Sequence, residues 1–295
     1  MKKNSALDRA RARLERKGFA VIEAGNTDRE TLREVAGYFG RIQNHPKAGP
    51  DGIVDLITHR TEASGEFDRS KASVHAEFQP HSDGAFVDGF WVENGFTERL
   101  GPPSLFLLQC VNAAENGGES LLIDCQAVFE DLRRESPEIF SRLQQPNLCF
   151  CGGKDYSLSK SLFERISPER WRVRFRSDLV MVEESAQPAV RSFFHDYVLN
   201  PKYHEVFRLR PGEILIADNF RLLHGRKEIH ATSAANRHVR RVWIWDDQSK
   251  AQYLTLEGSR LPRGAFLGME GYGRLPIKSF ENSDYPLNLG IREGE

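Results

Sequence analysis

The chain has 295 residues, 39% hydrophobic and 28% charged, with 41 Lys and Arg set against 42 Asp and Glu for a net charge of −1. A chain of that length can bury a large core without disulfide or metal staples, and its near-neutral balance gives no electrostatic reason to expect nucleic acid or an anionic membrane as partner. No uncharged apolar run approaches the roughly 18 residues that span a bilayer, and none of signal-peptide character follows Met1-Lys2-Lys3. The expectation is therefore a soluble, cytoplasmic protein with a small-molecule partner, homo-oligomerisation left open.

From Ser5 to Lys17 the pattern predicts a basic helix with Ala6, Ala10, Ala12 and Leu14 as a thin apolar face and Gly18 as its stop; its arginines read as a solvated face. Phe19–Ile22 reads as a short strand. Thr27-Asp28-Arg29-Glu30 opens a second helix, with Leu32, Val35, Ala36 and Phe39 at helical spacing and Gly40 as its end. Residues 45–80 are rich in Gly, Pro, Ser and charge, like a segment that runs over a surface or a site mouth, with strand-like Ile53–Ile57 inside them. Further strands are expected at Ser104–Val111, Glu119–Asp124, 147–151, Glu213–Asp218 and Arg237–Trp245, and helices at Gln126–Arg134 and Pro188–Asn200.

Cys110, Cys125, Cys149 and Cys151 are too few and too scattered for a disulfide framework or a zinc ribbon, and read as reduced, packed thiols. Many short strands with a few helices predict an α+β, mainly β fold, with a double-stranded β-helix (jelly-roll) core flanked by helices. The expected organisation is one domain over residues 1–295, its core at about 19–246 and residues 247–295 a C-terminal extension without an assigned role.

Gln79-Pro80-His81-Ser82-Asp83-Gly84 places an imidazole and a carboxylate two residues apart, on one face of an extended strand. His224 follows the apolar run Ile214–Ala217 and the turn-like Asp218-Asn219. Two histidines and one carboxylate on one side of an iron leave positions open for an oxidant and a co-substrate. Alone, an HxD triplet carries little information, and the surroundings of His224 supply the rest. Alternation along residues 237–245 puts Arg237, Val239, Arg241, Trp243 and Trp245 on one face. Two guanidinium groups among bulky apolar side chains call for anions, and a dicarboxylate suits Arg through bidentate bonds. The competing reading is an internal Arg–carboxylate pair, more so for Arg241 than for Arg237.

Asp218-Asn219-Phe220-Arg221-Leu222-Leu223-His224-Gly225-Arg226, with Arg237-His238 beyond it, resembles the C-terminal signature of the taurine dioxygenase-like superfamily. The resemblance extends to His81-Ser82-Asp83-Gly84, Gly117-Gly118-Glu119-Ser120 and Arg210-Pro211-Gly212-Glu213, and covers about residues 19–246. It implies Fe(II) held by His81, Asp83 and His224, with 2-oxoglutarate as co-substrate and O2 as oxidant. It also implies Arg237 on the distal carboxylate of 2-oxoglutarate, Ser120 as a hydrogen-bonding neighbour, and Arg241 as a substrate-binding arginine. The presence of Asp83 disfavours halogenation, since chlorinating relatives carry a small residue there. Phe86 and Trp243, with Phe78, Phe90, Trp91 and Trp245 nearby, suit either an aromatic substrate pocket or core. The implied reaction is oxidation of an unactivated C–H bond of a small metabolite, by hydroxylation or desaturation, with release of succinate and CO2. Two alternatives stand beside it: oxidative decarboxylation or desaturation of an amino-acid-derived intermediate, as in isonitrile biosynthesis, and a catalytically silent β-barrel binding protein.

Overall fold

The computed structural model describes residues 2–43, 45, 48–58, 75–85, 89–93, 96–145, 148–151, 157–167, 170–177, 180–182, 184–230, 237–245 and 255–257. The front of the chain forms α1 (Lys2–Lys17), β1 (Phe19–Glu23), α2 (Arg29–Phe39), β2 (Arg41–Ile42), β3 (Val54–Ile57), β4 (Phe78–His81), β5 (Gly89–Glu93) and β6 (Phe96–Leu100). The middle forms β7 (Leu105–Asn112), β8 (Ser120–Asp124), α3 (Cys125–Glu135), α4 (Pro137–Leu143), β9 (Leu148–Cys151), β10 (Ser157–Lys160), β11 (Phe163–Arg165) and β12 (Trp171–Val173). Then come β13 (Val180–Val182), α5 (Gln187–Ser192), β14 (His204–Phe207), β15 (Glu213–Asp218), β16 (Leu222–Arg226), β17 (His238–Trp245) and β18 (Thr255–Glu257). A six-stranded sheet has the order β1-β15-β7-β17-β2, with β3 also on β17, and a four-stranded sheet the order β14-β8-β16-β4. Smaller sheets are β10-β9-β13, β11-β12 and β18-β6-β5. The described residues form two compact units.

The first unit holds the six-stranded sheet, antiparallel throughout. Strand alternation sorts its side chains. Leu105, Leu107, Ile214, Ile216, Val242 and Ile244 meet Leu7 and Ala10 of α1 and Leu32, Val35, Ala36 and Phe39 of α2 in one buried cluster. Each Leu, Ile, Val or Phe among them contributes about 1.5–3 kcal/mol when fully buried. The α2 periodicity is as expected; on α1, Leu7 takes the buried place expected for Ala6, and Ala12 is exposed. Gly40 ends α2, as predicted, because a Cβ there would lie 2.0 Å from the Trp245 carbonyl oxygen. The sheet's other face carries Phe106 opposite Ala217 and Trp243, and Leu108 opposite Leu215 and Arg241.

In the second unit, α3, α4, α5 and the β11-β12 hairpin close around Phe129, Phe140, Phe163 and Phe193, whose rings pack at centroid distances of 4.5–6.3 Å. The helix expected over Pro188–Asn200 starts as α5 and widens into a π-helical turn at Phe193–Val198, which buries Phe193, Phe194, Tyr197 and Val198 together. Asp131 of α3 accepts hydrogen bonds from Lys202 Nζ (2.6 Å) and the Tyr203 hydroxyl (2.8 Å), and from Arg134. Among the described residues no helix is long and apolar enough to cross a membrane.

Candidate metal centre

His81 is the last residue of β4, and Asp83 lies in the turn beyond it. The pair therefore sits at a strand end where the backbone turns, between Pro80 and Gly84. Gly84 takes a φ of +67°, a left-handed conformation that glycine adopts without a Cβ clash. A neighbouring segment fixes this corner. Ser82 N donates to the Phe175 carbonyl (2.8 Å), Phe175 N donates to Ser82 Oγ (3.0 Å), His81 bridges Arg176, and the buried Arg174 guanidinium donates to the Ala85 carbonyl (2.9 Å).

His224 is the middle residue of β16. The Asp218-Asn219 pair before it is structural. Asp218 Oδ1 accepts from the backbone N–H of Phe220 (2.8 Å) and Arg221 (3.2 Å), and Asn219 Nδ2 donates to the Pro103 carbonyl (2.8 Å). This turn reverses the chain from β15 into β16 through local side-chain bonds, as Asx residues do. The Phe106 ring lies over the His224 imidazole with centroids 4.1 Å apart.

His81, Asp83 and His224 are 2%, 3% and 8% exposed, and one ligand atom from each lies within 4.8 Å of the other two. Ligands at about 2.1 Å from one ion lie roughly 3–4 Å apart, so small side-chain adjustments suffice for this set to hold a metal. Two imidazoles and a carboxylate suit Fe(II) and leave coordination positions open.

Arg237, just before β17, is half-buried, and desolvation draws its pKa below the ordinary guanidinium value. Among the described residues no carboxylate pairs with it. Its Cδ lies 3.6 Å from where a Gly118 Cβ would stand, two residues before the buried Ser120 that starts β8. Burial pushes the nearby Cys110 thiol up to about 11 against the opposing pull of Arg237. Sequence reasoning gave no role to Arg226, which alternation puts on the His224 face of β16. Its guanidinium donates to the carbonyls of Ala76 (2.8 Å) and Lys227 (3.0 Å), and burial, then the Arg237 charge, draws its pKa down to about 10.

Arg241 does not repeat this pattern. One of its guanidinium N–H groups donates to His45 Nε2 at 3.2 Å, and its Cζ lies 5.2 Å from the Trp243 ring. His45 packs edge-on to Trp243 with centroids 4.3 Å apart. Nothing in the Gly- and Pro-rich surroundings of His45 marked it in the sequence. Phe86 lies outside the described residues, as do residues 258–295 of the expected extension and the side chains of Phe90 and Trp91.

The buried two-histidine, one-carboxylate set has the composition of a facial triad and suits a metal ion. The chain belongs to the taurine catabolism dioxygenase TauD, TfdA family, whose profile matches residues 2–243. It is 29% identical over 160 residues to human (Homo sapiens) gamma-butyrobetaine dioxygenase, covering 49% of this chain but only 41% of that protein. It is 26% identical over 213 residues to 3-((Z)-2-isocyanoethenyl)-1H-indole synthase of Fischerella ambigua (strain UTEX 1903), covering 65% of this chain and 70% of that one. Its fold is similar to that of an asparagine oxygenase solved with Fe(II), 2S,3S-3-hydroxyasparagine and succinate, with a TM-score of 0.62 at 16% identity, over 82% of this chain and 79% of that one.

Proposed function

We propose that this chain is an Fe(II)- and 2-oxoglutarate-dependent oxygenase that oxidises an unactivated C–H bond of a small organic metabolite and releases succinate and CO2. The observation that carries this reading is the buried His81, Asp83 and His224 set in a chain whose Arg237, a desolvated cation, meets no carboxylate among the described residues. A dicarboxylate co-substrate supplies the missing charge. In this reading His81, Asp83 and His224 hold the iron, which when bound supplies O2 activation coupled to decarboxylation of the co-substrate. Arg237 grips the distal carboxylate through bidentate bonds, with Ser120 as an added hydrogen-bond donor. Phe106 covers the His224 ring and keeps water from that side.

Arg241 stands on the Phe106 face of the six-stranded sheet, held by His45 and Trp243. That arrangement supports a substrate with an acidic group, such as an amino acid, with Trp243 beside it. The antiparallel sheets support a double-stranded β-helix core, and we take residues 1–295 as a single dioxygenase domain. The match to the indole isonitrile synthase favours a second reading, decarboxylation or desaturation of an amino-acid-derived intermediate. A silent binding protein would have no use for a buried triad and a desolvated cation together.

An anaerobic visible spectrum with Fe(II) and 2-oxoglutarate tests the proposal. The expected result is the charge-transfer band of an iron-chelated keto acid; iron-loaded, folded protein without that band overturns it. A screen of metabolites for substrate-dependent succinate release then separates hydroxylation from the second reading by product mass.

A further inference from the structure

A cleft of about 680 Å³ opens between the end of α3, α4 and the β11-β12 hairpin, within the size range of small-molecule pockets. None of its lining residues has been assigned to the oxygenase chemistry, so the inference does not rest on that reading. Its inner wall is aromatic: Phe140 and Phe163 are buried, and half-buried Trp171 stands 5.5 Å from Phe140, centroid to centroid, at 66°.

The rim is cationic. The exposed Arg133 holds its guanidinium 5.8 Å from the Phe140 ring, and the exposed Arg165, directly opposite Trp171 in the hairpin register, holds its own 5.8 Å from the Trp171 ring. Arg172 is a third lining guanidinium. Glu164, the one acid among the lining residues, is already bonded to Arg172 Nε (2.6 Å) and to Arg174 (3.3 Å). Among the described residues no carboxylate pairs with Arg133. A guanidinium over a ring face still presents its N–H edge to an anion, and an aromatic wall beside it favours a flat apolar body. The lining thus matches one chemistry, a ring joined to a negative charge.

We propose that this cleft binds a small planar aromatic anion, its ring against Trp171 and Phe140 and its carboxylate or phosphate between Arg133 and Arg165. The wall of the cleft shares a hydrogen-bond chain with the His81–Asp83 segment, since Glu164 holds Arg174 and Arg174 donates to the Ala85 carbonyl.

Calorimetric titration of the full chain with phenyl phosphate, benzoate, inorganic phosphate and benzyl alcohol separates ring from charge. The expected result is sub-millimolar binding of at least one aromatic anion, with inorganic phosphate and benzyl alcohol at least tenfold weaker. The tighter of phenyl phosphate and benzoate identifies the anion. In an Arg133→Gln/Arg165→Gln double variant the aromatic-anion affinity falls roughly tenfold or more. Both side chains are exposed, so the variant keeps the fold, and an unchanged melting temperature verifies that. No heat at millimolar aromatic anion, equal binding of inorganic phosphate, or undiminished affinity in the folded double variant overturns the proposal.

Discussion

Asp83 is the one anionic residue of the buried set, and bonds from residues 174–176 brace the turn that carries it. Asp83→Ala therefore leaves the corner in place and removes the negative charge that binds iron. Succinate release is expected to fall to background; full activity would refute the triad. If Arg237 grips the co-substrate as proposed, Arg237→Ala removes one half of that ion pair, a loss of about 2–4 kcal/mol in buried sites, or roughly 30- to 1,000-fold. The apparent KM for 2-oxoglutarate should rise by that factor with the KM for prime substrate within about threefold, and equal rises in both would reassign the residue. His81, Asp83 and His224, which the structure brings together, could be picked out because two imidazoles and a carboxylate are rare in combination. His45 and Arg226 could not. Their meaning comes from contacts with Arg241 and with the carbonyls of Ala76 and Lys227, which no local pattern announces.

The elements show the same division. Helix α2, strand β15 and strand β17 fall within a residue or two of the periodic runs that predicted them, because each buries one face against a large core. Strand β16 was missed as a strand: its apolar pattern is short, and its pairing partners β8 and β4 come from distant parts of the chain. The turn before β8 is a tight contact, since a Cβ on Gly117 (φ +72°) would stand 2.0 Å from the Glu228 carbonyl oxygen. Helix α3 is tied to the turn at residues 201–203 by Asp131. Lys202 first, then Tyr203, with Arg134 adding to them, hold its carboxyl down at about 2, below the ordinary value of 3.8. A folded pKa below the unfolded one gives stability that is fully present above the unfolded value and is lost as pH falls through the folded one. Urea denaturation of Asp131→Asn beside the parent chain should show a constant deficit above about pH 5 that shrinks between about pH 4 and pH 2. A deficit independent of pH across that window would show that the carboxylate's charge contributes nothing.

At the scale of the whole molecule, the helix-covered core of the first unit is apolar and contains none of the triad. Chelation of iron should therefore abolish turnover and leave the far-UV circular dichroism in place. Fe(II) at 100 times its Kd stabilises a folded site by about 2.7 kcal/mol, which for a chain of this length raises the melting temperature by a few degrees. Loss of secondary structure on chelation would show that the metal, and not the core, holds the fold. The sequence by itself determined the periods of the elements, the aliphatic face that packs them, and the inventory of two imidazoles, one carboxylate and an arginine in family order. Only the tertiary structure decided that His81, Asp83 and His224 converge, that Arg237 is desolvated while Arg241 rests on His45 and Trp243, and that a cationic, aromatic cleft opens beside α4. The reason is that period and turn chemistry act over a few residues, whereas convergence depends on which distant strands pair and in what register.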